Sequence, residues 1–205
     1  MKHKLLKITA AVMVSLTLSH AAEKKDSFDI TIGAGIVSSS GYEDYINDAY
    51  FDAGSYIDKD VYGWLDLYAG LEYRPFSQFG IIGGCDVWLN GLESLGGVIE
   101  ESSFVNMIII PSLYGQLYLT KSRLFYINAG INLPIPDAGS SYFEFDSAEI
   151  GYGVNIGVEL FELLRIEGGY TYIPVTVKKT SSNPTVYEET DYDFGGPQIR
   201  LLLAF

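Results

Sequence analysis

The last eight residues, Gln198 to Phe205, read Q-I-R-L-L-L-A-F, and they constrain the fold more than any other stretch. Ile199, Leu201, Leu203 and the terminal Phe205 fall on one face, with Gln198 and Arg200 on the other. A period of two is the period of a strand. An apolar face backed by a small or polar one marks a strand set between two different solvents. Seven earlier segments repeat the pattern, so strands are predicted at roughly 28–37, 61–73, 80–90, 104–119, 124–133, 148–160, 164–177 and 192–205. For such a set the two solvents are lipid and lumen. The expected fold is all-β: one eight-stranded antiparallel up-and-down transmembrane β-barrel.

Parity assigns the side chains. In the second segment Leu65, Leu67, Ala69, Leu71 and Tyr73 oppose Asp66, Tyr68, Gly70 and Glu72. In the sixth, Ile150, Tyr152, Val154, Ile156 and Val158 oppose Gly151, Gly153, Asn155, Gly157 and Glu159. Cys85 shares a face with Val87 and Leu89 and reads as a small apolar residue of the wall. Two places are irregular. Met107 to Ile110 is apolar on both faces, and Gly195-Gly196-Pro197 interrupts the eighth segment. A bulge there would turn Tyr192 and Phe194 onto the lipid face.

The first residues stand apart. Lys2, Lys4 and Lys7 precede the apolar run Ile8 to Leu18 and the small-residue site Ser19-His20-Ala21, which reads as a secretory signal. Residues 1–21 are expected to be the signal peptide and 22–205 the barrel domain. The mature chain keeps all 26 acidic residues and 10 of the 13 basic ones, so its net charge is 10 − 26 = −16. That balance excludes a nucleic-acid partner, whose phosphates need a basic surface. The connections alternate long and short: 38–60, 74–79, 91–103, 120–123, 134–147, 161–163 and 178–191. Long outer loops and short periplasmic turns are the schedule of an outer-membrane barrel, with both termini in the periplasm. Tyr73, Phe125 and Phe205 then lie near one interface and Tyr152, Tyr170 and Tyr172 near the other, as amphipathic rings do.

The strand and loop schedule and the closing strand with Ile199, Leu201, Leu203 and Phe205 resemble the small eight-stranded outer-membrane barrels, the family of the OmpA transmembrane domain, OmpX and the Ail-type adhesins. The resemblance spans the mature chain. It implies residence in the bacterial outer membrane among lipid and lipopolysaccharide. It also implies handling by periplasmic chaperones and the barrel-assembly machinery, which would read the terminal aromatic strand.

The only histidines are His3 and His20, both in the expected signal. Serine hydrolases use an imidazole base, and the small barrels that work as acyltransferases, deacylases, phospholipases or proteases resemble one another in using a histidine. The chain is therefore expected to be non-enzymatic, with no cofactor. Parity points Asp29, Glu72, Glu159, Arg165, Glu167 and Arg200 into the lumen. Buried charges need partners, so the two arginines are expected to bridge acids, with Asp29 near Arg200 and Glu72. The network reads either as a polar plug filling a narrow interior or as the gate of a pore. The first long loop mixes Tyr42, Asp44, Tyr45, Asp48, Tyr50 and Asp52. It reads as a solvated loop, as a tyrosine-rich surface for an extracellular protein partner, or as oxygen ligands for a cation. The expected function is structural or adhesion-type surface interaction through the outer loops. The alternative is a narrow pore for ions or small solutes, gated by lumenal salt bridges.

Overall fold

A computed structural model describes residues 27–52, 63–90, 107–136, 143–160, 163–180 and 187–205. The elements in chain order are β1 (Ser27–Ser38), α1 (Ser40–Asp52), β2 (Gly63–Phe76), β3 (Phe79–Asn90), β4 (Met107–Tyr118), β5 (Phe125–Asn132), β6 (Ile135–Pro136), β7 (Phe143–Ala148), β8 (Gly151–Leu160), β9 (Leu164–Tyr172), β10 (Pro174–Thr180), β11 (Tyr187–Asp193) and β12 (Gly196–Ala204). The expected signal, residues 1–21, lies outside the described residues.

Eight of these strands close a ring in the order β3-β2-β1-β12-β9-β8-β5-β4, with β4 returning to β3. All the pairings are antiparallel, and the seam joins the first strand to the last, from Thr31↔Ala204 to Val37↔Gln198. Phe205 extends that seam: its N–H donates to Ile30 O and its C=O accepts from Ile30 N, each at 2.9 Å. Closure removes every barrel edge, which is the condition for a sheet to span hydrocarbon. No helix among the described residues is long and apolar enough to cross a membrane.

The outer wall is apolar and solvent-inverted. Ile30, Leu71, Leu113, Ile131, Val154 and Ile156 all point outward and are exposed, as are the C-terminal residues Ile199, Leu201, Leu203 and Phe205. Stacked aromatic pairs sit at the two rims. Phe28 and Tyr73, 4.8 Å between ring centroids, mark the end with short turns. Tyr152 and Tyr172, 5.0 Å apart, mark the end with long connections. Cys85 is half-buried in the wall.

On one side the wall rises past the rim. β7, β10 and β11 lead into or continue β8, β9 and β12, and they form a separate three-stranded sheet in the order β11-β10-β7. The hinge is spanned by Asp193, whose Oδ1 accepts the N–H groups of Ile173 at 2.9 Å and Gly195 at 2.8 Å. Those bonds satisfy two backbone donors at the hinge. The expected flip of Tyr192 and Phe194 onto lipid does not occur. Phe194 N donates to Ile173 O across the hinge at 2.8 Å, and parity runs unbroken through Phe194, Gly196, Gln198 and Arg200. No residue is added to the strand, so both rings face the interior and are buried. The doubly apolar start of β4 resolves the same way. Ile108 and Ile110 point inward while Ile109 faces outward, because the interior at this level is itself apolar.

The first long connection is not an open loop. Its described part is α1, whose first turn is capped by Ser39: the Tyr42 N–H donates to Ser39 Oγ at 3.1 Å. Glu43 adds a carboxylate to that turn, where the helix dipole favours one. Tyr42, Tyr45 and Ile46, spaced by three and one, share a face, and that face is buried in the barrel mouth.

A charge lattice and an aromatic plug inside the barrel

The interior is layered. At the turn end Arg165, on β9, lies across the lumen and is 2% exposed. Its Nε donates to Glu159 at 2.8 Å, and its Nη2 reaches Glu72 at 2.9 Å, Asp29 at 3.4 Å and Tyr118 Oη at 3.1 Å. One guanidinium thus ties β9 to β8, β2, β1 and β4. Arg74 adds a second clamp on Asp29 at 2.6 Å. The planar fork of arginine suits several acceptors at fixed angles.

Above this layer Arg200 holds two acids, Nε to Asp66 and Nη2 to Asp86, each at 2.5 Å. Arg200 is on β12 and the acids are on β2 and β3, so its side chain must pass over β1. Gly35 stands in register between Arg200 and Asp66. A Cβ there would lie 2.8 Å from Arg200 Cγ, so only glycine leaves the passage open. Tyr126 uses a second such gap, its ring lying where a side chain on its register partner Gly157 would stand.

Amides and phenols complete the lattice. Gln198 Nε2 donates to Asn155 Oδ1 at 2.6 Å, Asn155 Nδ2 to Asn128 Oδ1 at 2.8 Å, and Asn128 Nδ2 to Glu167 at 3.0 Å. Tyr126 Oη also donates to Glu167, at 2.9 Å. Gln116 Nε2 and Tyr118 Oη donate to Glu72 at 3.2 and 3.0 Å. The described lattice sets carboxylates of Asp29, Asp66, Glu72, Asp86, Glu159 and Glu167 against the guanidiniums of Arg74, Arg165 and Arg200. Neutral donors therefore supply much of what the cations do not, which is how buried charge is tolerated in a narrow space.

At the loop end the chemistry changes. Val37, Trp64, Trp88, Ile108, Ile110, Ile173, Val175, Val177, Tyr192 and Phe194 form an apolar cup, and Tyr42, Tyr45 and Ile46 of α1 fill it. Tyr42 packs on Trp64 with centroids 4.3 Å apart and on Phe194 at 5.3 Å, and Tyr45 meets Tyr192 at 5.5 Å. One hydrogen bond fixes the far part of the helix, Tyr192 Oη donating to Asp48 at 2.8 Å. Burial, and then the Asp48 carboxylate, hold the Tyr192 hydroxyl above the usual tyrosine range. The indole N–H groups of Trp64 and Trp88 are fully buried with no acceptor among the described residues. A buried donor left unpaired costs roughly 1–3 kcal/mol.

All six charges read as lumenal point inward. Asp29, Glu72, Glu159 and Arg165 meet in one cluster, and Asp29 is Glu72's register partner. Asp29 does not pair with Arg200, as expected from the sequence; its partners are Arg74 and Arg165. Arg200 sits one layer higher, where Asp66 and Asp86 are nearer. The charge set read from the sequence does not include Asp86 or Arg74, and it leaves out Asp66 although parity already sets that residue opposite the apolar face. Asp66 stands on the inward parity of Tyr68 and Glu72, Asp86 opposes Cys85 and Val87, and Arg74 continues the parity past the expected strand end. In the first loop Tyr42 and Tyr45 are buried, so they present no surface to a partner; the mouth captures them because it is apolar. Asp44 and Asp48 are exposed. Tyr50 and Asp52 belong to α1, and their side chains lie outside the described residues. No group of three or more His, Cys, Asp or Glu side chains among the described residues is arranged to hold a metal ion.

No family model matches the chain, and no curated protein matches it. Among solved structures it is similar to Neisserial surface protein A, at 12% identity and a TM-score of 0.48, over 88% of this chain and 97% of that one. It is also similar to outer membrane protein AlkL, at 13% identity and a TM-score of 0.43, over 89% and 90%.

Proposed function

We propose that this transmembrane barrel resides in the bacterial outer membrane as a closed, non-enzymatic protein that acts through its outer cap. The observation that carries the reading is that the interior is filled at both ends. Arg165 spans the lumen at the turn end with four polar partners, and Trp64, Trp88, Tyr42 and Phe194 fill the loop end with no exposure. An eight-stranded barrel is just wide enough for side chains to occupy. What is left for function is the cap: the outward side of α1 with Asp44 and Asp48, and the projecting sheet with Glu189 and Asp191, all exposed. This acidic surface suits a partner bearing basic residues on an outer or host surface. Histidines at positions 3 and 20 alone leave the barrel domain without an imidazole base for hydrolysis.

The test has two arms. Planar-bilayer recordings of the purified barrel are expected to show no steps, and cells displaying it are expected to bind a basic protein-coated surface in a salt-sensitive way. Stable single-channel steps would replace this reading with the gated pore. Boiled and unboiled electrophoresis of membrane fractions checks the location.

A further inference from the structure

We propose that the cup beneath α1 is a binding site for a linear apolar molecule carrying a neutral hydrogen-bond acceptor, such as an ester, ketone or alcohol, and that α1 is the lid occupying it otherwise. The proposal goes beyond the closed-barrel reading and does not depend on the cap's partner.

Three observations carry it. The cup is a built wall, with Val37, Ile108, Ile110, Val175 and Val177 coming from three different strands around its rim. Its two largest side chains, Trp64 and Trp88, each end in an N–H that is fully buried and unpaired, with ring centroids 6.3 Å apart. Phenylalanine or leucine would seal the mouth without orphaning a donor, whereas indole N–H groups that none of the described residues pairs are open to an acceptor from outside. Third, the occupant is removable in principle. Among the described side chains of α1, Tyr42, Tyr45 and Ile46 enter the cup from one face, Asp44 and Asp48 stand exposed, and the hydrogen bond from Tyr192 to Asp48 holds its far part.

The floor sets the ligand's charge. Asp66 is the register partner of Trp88, Asp86 lies two residues from Trp88, and Arg200 is the cation they share. Two carboxyl groups already share that one cation, so a carboxylate head finds no free positive charge there, where a carbonyl still meets the indole donors.

Trp64 and Trp88 are the chain's only tryptophans, so intrinsic fluorescence reports on this cup alone. The full-length protein is placed in vesicles of unbrominated phosphatidylcholine and titrated with methyl 12-bromododecanoate, 12-bromododecanoate and 1-bromododecane. Saturable quenching is expected, with the ester about tenfold tighter than the bromoalkane, the worth of one ordinary hydrogen bond, and tighter than the anion. Trp64→Phe and Trp88→Phe each leave one reporter and should erase much of the ester's advantage over the alkane. Tyr42→Ala with Tyr45→Ala, or the milder Asp48→Asn, should tighten all three probes by raising the open fraction. An unboiled gel shift confirms that each variant is folded. The idea fails if quenching is unsaturable and matches that from vesicles of acyl-brominated phosphatidylcholine. It fails equally if ester and alkane bind alike, or if the lid variants leave affinity unchanged. Conductance and surface-binding results bear on the closed-barrel reading and leave this one standing or falling separately.

Discussion

The two ends of the interior are sealed by opposite means. At the turn end the seal is directional: Arg165 has one place to stand, fixed by Glu159, Glu72, Asp29 and Tyr118. At the loop end it is volumetric: rings of Tyr42, Tyr45, Trp64 and Phe194 fill a space. A hydrogen-bonded lattice tolerates almost no loss of a member, because each removal leaves a buried charge without its partner. Packed rings lose area in proportion to what is cut away, and a helix resting on them can lift as a unit. The lattice thus suits the permanent part of the barrel and the plug the part that faces the outside.

That contrast can be broken most sharply at Arg165. Arg165→Met takes the cation from Glu72 and Glu159, while Asp29 keeps Arg74, and is expected to lower stability by about 3–5 kcal/mol. It should appear as a drop in the urea midpoint at which the unboiled gel shift disappears; an unchanged midpoint would mean the lattice is not the turn-end seal. Gly157→Val comes next. Its side chain would stand in the Tyr126 ring and push that phenol from Glu167, a strain of about 1–3 kcal/mol readable in the same titration.

Changes at the loop end should be smaller and local. Ser39→Ala removes the α1 cap for about 1 kcal/mol. Limited proteolysis should then cut α1 faster, with the barrel midpoint unmoved; a shift in both would show the plug and lattice to be one unit. Tyr192→Phe should cost least, about 0.5–1 kcal/mol, by deleting the bond to Asp48. The Tyr192 hydroxyl is held above its ordinary range, so its contribution is present at neutral pH and fades as pH rises beyond about 10, where an unfolded tyrosine ionises. Proteolysis rates of the wild type should approach those of Tyr192→Phe in alkali.

Much of this was legible in order of residues. The alternation through Ile199, Leu201, Leu203 and Phe205 sets which atoms meet lipid, and the structure places all four outward. The parity of Glu72, Glu159, Arg165 and Glu167 sets them inward. Neither needs tertiary information, because in a strand the face of a side chain depends only on counting by two. The helix was not read, although Tyr42, Tyr45 and Ile46 carry a helical spacing. Eight of the 13 residues from Ser40 to Asp52 are acidic or aromatic, and the apolar stripe becomes meaningful only against a cup assembled from β1, β2, β3, β4, β10 and β11.

The sequence by itself determined the barrel, its two faces and the inward set of charges, since strand period and solvent preference are local properties. Only the tertiary structure decided which charges pair, that Gly35 opens the path from Arg200 to Asp66, and that Tyr192 and Phe194 turn inward. Those outcomes depend on register and shear between strands remote in sequence, and on how much space a ring of eight leaves inside.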